Sequence, residues 1–289
     1  DRLRPVICDQ EPMVASPLYN ERVANIIDSR YQELLNYSRS YFYHTKYDNH
    51  TNNFPDFTYI AHALGSIDGH TYTNSREAFL RSYSLGVRCF EVDLAVTQDN
   101  QLVCVHSETS DKLKLPSPEQ SVLSELCKQK TLEKYSVLHS RDIAALLSEY
   151  TDAILITDTK SDLETSLTLL YQDETLKSPD ISKRIIPQIY TKDDIPIIRK
   201  LGINSVIFTL YRTKLSKEEV LEFVKATPEI RAVTMPKEWF TPEFGKKVRA
   251  TGRPVFLHTL NNWNEINGVL SLGVQGVYSD IMIKDPVDD

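Results

Sequence analysis

The 289-residue chain lacks several features that would assign it to a particular class of protein. No apolar run approaches the length of a membrane span, so no transmembrane segment is predicted. There is no lysine and arginine cluster, and the formal net charge is −7, so nucleic acid and anionic membrane surfaces are poor candidates for the main partner. The chain opens on Asp1 and not on Met, which favours an extracytoplasmic or membrane-associated protein whose leader has been removed.

Cysteine is scarce as well. The four cysteines, Cys8, Cys89, Cys104 and Cys127, show no C-x-x-C spacing, so the sequence carries no zinc or redox signature. Cys89 and Cys104 lie inside apolar segments, where a cysteine commonly acts as a small hydrophobic residue. We expect both thiols to be buried in the core.

The chain has enough apolar sequence to bury a large core. Hydrophobic residues make up 41% of it and charged residues 25%, which fits one α/β domain with an extension. Residues 58–289 alternate predicted strands and helices, whereas residues 1–57 do not. We therefore predict a barrel domain over residues 58–289 and an N-terminal arm and helix over residues 1–57.

The segment from Tyr59 to His106 carries the residues on which a functional prediction depends. His62 follows the short apolar run YIA and precedes a polar, glycine-bearing loop, so it lies at the C-terminal end of a predicted strand. A helix is predicted from about Ser75 to Leu85, with Ser75 as its N-cap and Gly86 after its last turn.

The next predicted strand, VRCFEVDLAV, carries Glu91 and Asp93 two residues apart, so both side chains point to one face. Two carboxylates on one face of an apolar strand repel each other unless a cation lies between them, and a divalent cation meets this need. The turn TQDNQ then leads to the apolar run LVCVHS, which ends near His106. Two histidines and a carboxylate pair at strand ends can supply an acid, a base and a metal site.

The rest of the chain continues the alternation. Ser216 with Glu219 forms a predicted capping box, and Thr241 followed by Pro242 marks another helix start. This spacing predicts a closed parallel TIM (β/α)8 barrel, whose chemistry lies at the C-terminal ends of the strands. The later strands are predicted at residues 152–160, 184–190, 205–210, 232–235, 254–258 and 276–279.

These motifs together resemble the glycerophosphodiester phosphodiesterase family of TIM-barrel, phospholipase C-like phosphodiesterases. The resemblance lies in IAHALG, YTNSREAF and LGVRCFEVDLAVTQDNQLVCVH, continues to the closing strand GVQGVYSD, and covers about residues 58–286. It implies a metal-dependent phosphodiesterase with His62 and His106 as acid and base. It also implies that one divalent cation, Mg²⁺ or Ca²⁺, is held by Glu91, Asp93 and Asp158.

The resemblance further implies a set of substrate-binding residues, and it shows departures from the family pattern. Position 158 carries Asp where the family has Glu. The family's Arg after the first His is Ala63 here, its Asp after the second His is Ser107, and its pocket Trp is His258. These departures favour a phosphodiester other than a simple glycerophosphodiester. The implied substrate-binding residues are Asn74, Lys160, Gln188, His258 and Asn261.

The expected function is cleavage of a glycerophosphodiester-like or other phosphodiester, such as a lipid head group in lipid metabolism or a phosphopolymer. One alternative is a lyase-type phospholipase that cyclises its product, which Asp158 favours. The other is a degenerate barrel that binds a phosphoester without cleaving it, which Ala63 and Ser107 favour. The sequence leaves the head group and the oligomeric state open.

An amphipathic helix is predicted at about residues 20–40, where apolar residues recur at helical spacing. The tail after the predicted closing strand is too short and too acidic for the eighth outer helix of a TIM barrel. We therefore expect the N-terminal helix to pack on the barrel, over the seam between the last and first strands. Its predicted inward-facing residues are Ile26, Ile27, Leu34 and Leu35. A position that closes the bottom of the barrel is the second choice, and the alternative is a detached stalk that leads to a membrane anchor.

Overall fold

The computed structural model describes residues 57–281. The predicted N-terminal arm and helix lie outside the described residues, so their packing on the barrel stays a prediction. Within residues 57–281, no helix combines the length and the apolar character needed to cross a membrane.

Eight parallel strands close into a barrel, which confirms the predicted TIM fold. Strand β1 (Tyr59–Ala61) pairs with β2 (Cys89–Val96) on one side and with β11 (Gly276–Ser279) on the other, and these two pairings close the sheet. The other barrel strands are β6 (Ile154–Thr159), β7 (Ile185–Ile189), β8 (Val206–Thr209), β9 (Ile230–Pro236) and β10 (Val255–His258).

The segment before His106 differs from its prediction. Strand β3 covers only Leu102–Val103, and it pairs antiparallel with β2. After Val103 the backbone turns to another partner, since the amide of Cys104 donates to the carbonyl of Leu138 at 2.8 Å. His106 therefore lies beyond the strand, immediately before a short 3-10 helix. A separate hairpin is formed by β4 (Lys130–Thr131) and β5 (Tyr135–Ser136).

Helices cover the outside of the barrel, and their ends follow the predicted caps. The Ser75 hydroxyl accepts from the Ala78 amide at 3.2 Å at the start of the first helix. The predicted capping box at Ser216 and the N-cap at Thr241 are both formed. The helices are α1 (Arg76–Ser84), α2 (Leu123–Leu126), α3 (Ser140–Glu149), α4 (Leu163–Leu170), α5 (Pro179–Ser182), α6 (Asp194–Lys200), α7 (Lys217–Ala226), α8 (Pro242–Arg249) and α9 (Trp263–Ser271).

The barrel interior has an apolar layer with a polar layer above it. The eight barrel strands each contribute one residue to a buried cluster: Ile60, Cys89, Ile156, Ile186, Ile207, Ala232, Phe256 and Tyr278. Because side chains alternate along a strand, the residue two positions further on shares the inward face. Those residues are polar: His62, Glu91, Asp158, Gln188, Thr209, Thr234, His258 and Asp280. The apolar layer thus forms the floor beneath a ring of chemically active side chains.

The thiol predictions also hold. Cys89 and Cys104 are both buried, and both thiols are free. Cys89 belongs to the apolar floor of the barrel and Cys104 to the larger core around it.

Gly276 is predicted to be essential for barrel closure. A Cβ at this position would lie 2.5 Å from the carbonyl oxygen of Phe57 and 2.6 Å from that of Thr58, and backbone atoms cannot move aside cheaply. Gly276→Ala should lower the free energy of unfolding by about 1–3 kcal/mol, measured by urea denaturation. Gly268→Ala is the control, because a Cβ there has no neighbour within 4 Å in helix α9; it should raise stability by about 0.5–1 kcal/mol. Equal effects of the two substitutions would contradict the close approach.

Candidate active site

A cleft of about 350 Å³ opens at the C-terminal end of the barrel. It collects seven of the ten predicted site residues, namely His62, Glu91, His106, Asp158, Lys160, Gln188 and His258. The other residues that line it are Tyr72, Glu108, Thr209, Tyr211, Arg212, Pro236, Thr259 and Tyr278. Asn74, Asp93 and Asn261 do not line the cleft, and each contacts a residue that shapes it.

The three predicted metal ligands lie together. Glu91, Asp93 and Asp158 are buried, and each offers an oxygen within 4.8 Å of the others. Asn74 fixes Asp93 from behind, because its amide nitrogen donates to Asp93 Oδ2 at 2.8 Å and its oxygen accepts from the Asp93 amide at 2.9 Å. The Ala63 amide donates to Glu91 Oε2 at 2.7 Å. These contacts fix the orientation of the Glu91 and Asp93 carboxylates.

Lys160 is the cation nearest to this cluster. Its Nζ lies 3.0 Å from Asp93 Oδ1 and 2.7 Å from Asp158 Oδ2. Burial and the charge of Asp93 raise the pKa of Glu91. Burial also lowers the pKa of Lys160, but the charges of Asp93 and Asp158 outweigh it and raise that pKa. One ammonium group thus faces three carboxylates.

The cluster fits a divalent cation. Glu91 Oε1 is buried and has no hydrogen-bond partner among the described residues. A buried carboxylate oxygen without a partner is costly, and hard divalent cations prefer oxygen ligands. The donor set at this end of the barrel therefore suits Mg²⁺ or Ca²⁺ and not a soft metal.

Two tyrosines that the sequence reasoning did not single out contact Asp158. The Tyr190 hydroxyl donates to Asp158 Oδ1, and the Tyr211 hydroxyl lies 3.4 Å from both Asp158 oxygens. The alternation of side chains along a strand could have identified both tyrosines. Tyr190 follows Gln188 by two residues and Tyr211 follows Thr209 by two, so both continue the inward face of their strands.

His62 is held by a carboxylate that sequence reasoning also missed. Its Nδ1 donates to Asp280 Oδ1 at 2.8 Å. Asn261 anchors Asp280 in turn, because its amide nitrogen donates to Asp280 Oδ2 at 2.6 Å and its oxygen accepts from the Asp280 amide at 2.8 Å. Burial alone lowers the pKa of His62, but the hydrogen bond to Asp280 and the charge of Glu91 raise it to about 9.

His106 has the opposite electrostatic setting. Burial lowers its pKa, and the attraction of Asp93 offsets this only in part. Its Nδ1 is buried without a hydrogen-bond partner among residues 57–281. The Tyr72 ring lies between the two imidazoles, edge-on to both, with ring centroids 4.7 Å from His62 and 5.2 Å from His106. The cleft thus presents a histidine that favours its charged form and one that favours its neutral form.

His258 contributes a neutral imidazole to the wall of the cleft. Its Nδ1 lies 2.9 Å from the Thr234 hydroxyl, and its Nε2 is buried without a hydrogen-bond partner in the described part of the chain. Burial and the charges of His62 and Lys160 lower the pKa of His258 to about 4. The side chain that replaces the family's Trp therefore offers a polar contact.

The loop between β1 and α1 holds its residues in an unusual backbone conformation. Five non-glycine residues of this loop have positive φ: Ala63 (47°), Leu64 (67°), Asp68 (50°), Tyr72 (61°) and Asn74 (46°). Such conformations are costly outside glycine, and they persist where the surrounding structure holds them. Here they set the Tyr72 ring beside His62 and His106, and the Asn74 side chain beside Asp93.

Comparison with known proteins assigns the chain to a family. The sequence model of the glycerophosphoryl diester phosphodiesterase family matches residues 65–284. The chain belongs to this family. The predicted family and the predicted class of enzyme, a phosphodiesterase, are thereby confirmed. No curated protein matches the chain.

Solved structures of the family share the barrel. The glycerophosphodiester phosphodiesterase from Parabacteroides distasonis has 18% identity and a TM-score of 0.64, covering 77% of this chain and 92% of its own. The enzyme from Thermotoga maritima has 18% identity and a TM-score of 0.59, covering 77% and 93%. A phosphodiesterase from Oleispira antarctica, solved with the product sn-glycerol-3-phosphate, has 16% identity and a TM-score of 0.62, covering 77% and 92%. At these identities the likeness shows the fold.

Asp280 is predicted to set the protonation of His62. Asp280→Asn removes the charged acceptor, so the pKa of His62 should fall from about 9 in the chelator-treated protein, as measured by NMR titration of the imidazole. An unchanged pKa of His62 would contradict this role. Because the folded-state pKa lies above the unfolded value of about 6.5, His62 stabilises the fold fully below that pH, and this contribution is lost as pH rises through about 9. The loss of stability over this range, followed by urea denaturation, should be smaller in the variant.

Proposed function

We propose that this chain hydrolyses a glycerophosphodiester-like substrate, with His62 as general acid, His106 as general base and one divalent cation at the carboxylate cluster. The observation that carries the proposal is the pairing of two histidines with opposite preferred charge states in one cleft, beside three buried carboxylates. A structural role for either histidine alone would not require this pairing.

Glu91, Asp93 and Asp158 would hold the cation, Mg²⁺ or Ca²⁺. When bound, such a cation supplies positive charge to a phosphoryl oxygen and stabilises the charge that develops on it. Asn74 and the Ala63 amide keep two of the carboxylates oriented, and the Tyr190 and Tyr211 hydroxyls support Asp158. Lys160 balances part of the negative charge of the cluster and is a second positive group next to the phosphate.

The two histidines divide the proton transfers. His106, neutral near pH 7, accepts a proton from water as the water oxygen bonds to phosphorus. His62, charged through its bond to Asp280, donates a proton to the leaving oxygen as its bond to phosphorus breaks. Each transfer is worth about 10²- to 10⁴-fold in rate. The Tyr72 ring packs edge-on against both imidazoles and so helps to fix their positions.

The substrate is proposed from the family and from the cleft. The Oleispira phosphodiesterase contains sn-glycerol-3-phosphate, and a cleft of about 350 Å³ accommodates a glycerol phosphate with part of a head group. Ala63, Ser107 and His258 change the surroundings of the phosphate, which supports a head group other than that of the simplest family substrates. A lipid head group and a phosphopolymer unit both meet this description.

Cyclisation is the second candidate reaction. A neutral His106 can accept a proton from a hydroxyl of the substrate itself, which would then attack phosphorus and yield a cyclic phosphate. The Tyr190 and Tyr211 hydroxyls both contact Asp158, the position where this chain departs from the family's Glu. This difference is the observation that favours testing the second reaction.

Product analysis by phosphorus NMR with a panel of phosphodiesters tests the proposal. We expect a linear phosphomonoester and activity that depends on an added divalent cation; a cyclic diester would support the second candidate. Glu91→Gln should abolish activity and metal dependence together, because the cluster loses a charged ligand. Glu164→Gln is the control and should change neither, because Glu164 is partly exposed, pairs with Lys200 and does not line the cleft. Undiminished activity in excess chelator would contradict the metal assignment.

His62→Ala and His106→Ala should each lower kcat by at least about 10²-fold, since both residues face the cleft. His106→Ala should lose little thermal stability, whereas His62→Ala should lose only the contribution of the His62–Asp280 pair. His70→Ala is the matched control, because His70 is exposed and does not line the cleft. A fall of many degrees in the thermal midpoint of either active-site variant, with kcat retained, would indicate a structural role instead.

A further inference from the structure

The basic side chains that line the cleft differ in their partners. Besides the imidazoles of His106 and His258, which favour their neutral form, they are His62, Lys160 and Arg212. Lys160 pairs with Asp93 and Asp158, and His62 pairs with Asp280. Arg212 forms no hydrogen bond and no ion pair with any residue that the structure describes. It is therefore the cleft cation whose charge is not met by a carboxylate of the described chain.

Aromatic rings hold Arg212 in place. Its guanidinium carbon lies 4.6 Å from the ring centroid of Tyr190 and 5.2 Å from that of Tyr211. The two rings are themselves fixed, because they pack edge-on at 5.7 Å and both hydroxyls contact Asp158. A guanidinium stacked on aromatic faces keeps its in-plane N–H donors available, and little conformational entropy is lost when they bind an anion.

The position of Arg212 is at the rim of the cleft. Asp158 is only 8% exposed, whereas Tyr211 is 40% exposed and Arg212 is exposed. Arg212 lies over the tyrosine rings, and the hydroxyls of those rings point to the carboxylate cluster. The guanidinium is thus farther out than the place where the scissile phosphate meets the cluster, and it faces the part of the substrate that projects from the cleft.

A second part of the rim carries a negative charge. Glu108 also lines the cleft and is exposed, and it belongs to the loop that follows β3. Strands β6 and β7 separate β2, to which β3 is paired, from β8, which precedes Arg212. The rim is therefore polarised, and an anionic group is repelled near Glu108 and attracted near Arg212.

We propose that Arg212 binds a second anionic group, a carboxylate or a phosphate, on the part of the substrate beyond the scissile phosphate. This inference rests on the proposed function and names the class of substrate: phosphodiesters whose projecting group carries an additional negative charge. Charge-assisted bonds from a planar guanidinium to a carboxylate or phosphate are among the stronger polar contacts in proteins.

A matched pair of substrates tests the inference. Glycerophosphoserine and glycerophosphoethanolamine differ by one carboxylate, so the ratio of their kcat/KM values isolates its contribution. We expect the wild-type enzyme to prefer the serine compound. Arg212→Ala should lower this preference by about tenfold or more, mainly through the KM of the serine compound.

Two variants serve as controls. Lys214→Ala removes an exposed positive charge from the same loop at a position that does not line the cleft, and it should leave the preference unchanged. Arg212→Lys keeps the charge but loses the planar fork, and it should retain part of the preference. The thermal midpoint of each variant should match that of the wild type, since the substituted side chains are exposed.

Several outcomes would overturn the inference. Equal losses on both substrates would assign Arg212 to the scissile phosphate, and no loss on either would deny it a role in binding. If Lys214→Ala lowered the preference as much as Arg212→Ala, the preference would come from the overall positive charge of the loop and not from a contact with Arg212.

Calorimetry separates this inference from the proposed function. The two diesters are titrated into the His106→Ala variant, in which turnover is slowed, and into the same variant carrying Arg212→Ala as well. Tighter binding of the serine compound that requires Arg212, without turnover by the wild type, would sustain the inference and refute the hydrolysis. Turnover of both diesters without any Arg212-dependent preference in binding would do the reverse.

Discussion

Three carboxylates, Glu91, Asp93 and Asp158, lie buried within 4.8 Å of one another, and their mutual repulsion must be offset by their neighbours. In a medium of low dielectric constant this repulsion is far larger than in water. Lys160 supplies one positive charge between Asp93 and Asp158. A divalent cation would neutralise the remaining negative charge, and we propose that the activity of the enzyme depends on this cation.

The same constraint explains why polar residues without chemistry of their own surround the cluster. Asn74 gives Asp93 a donor and an acceptor, and the Ala63 amide binds one oxygen of Glu91. Both residues sit in left-handed backbone conformations, which carry a steric cost. We infer that this cost is tolerated because the left-handed conformations bring the first loop to the carboxylates. An extended chain would direct the Asn74 side chain and the Ala63 amide elsewhere.

Much of the fold could be predicted from the sequence, because the barrel strands are short apolar runs separated by helices with readable caps. Strand β11 has the predicted bounds, Gly276–Ser279, and the capping box at Ser216 forms as its residues suggest. The segment before His106 was harder, because its backbone partner is Leu138, more than thirty residues away. A pattern within one segment does not show which distant segment will pair with it.

The site residues also divide into those that a local sequence pattern predicts and those that it does not. Residues on the inward face of a strand, such as Glu91 and Asp158, follow from a period of two and from motifs. Asp280 lies in a motif that was recognised, yet its bond to His62 joins residues 218 positions apart, and no local pattern reveals it. Tyr72 lies in a loop, where no period applies. Lys160 was expected beside the phosphate. The sequence shows that this residue is charged, but it does not show that Asp93 and Asp158 are its partners.

The stacking of an apolar floor under a polar ring has a consequence for how this protein can change. Each barrel strand supplies a floor residue, and the ring residue follows two positions later, as Ile156 and Asp158 do in β6. Inserting or deleting one residue within such a strand would turn the ring residue outward and bring an outward-facing apolar side chain into the site. The strands therefore cannot change length without disrupting the site. Diversification of the substrate is therefore confined to the loops at the rim, where length is free to vary without disturbing the register below.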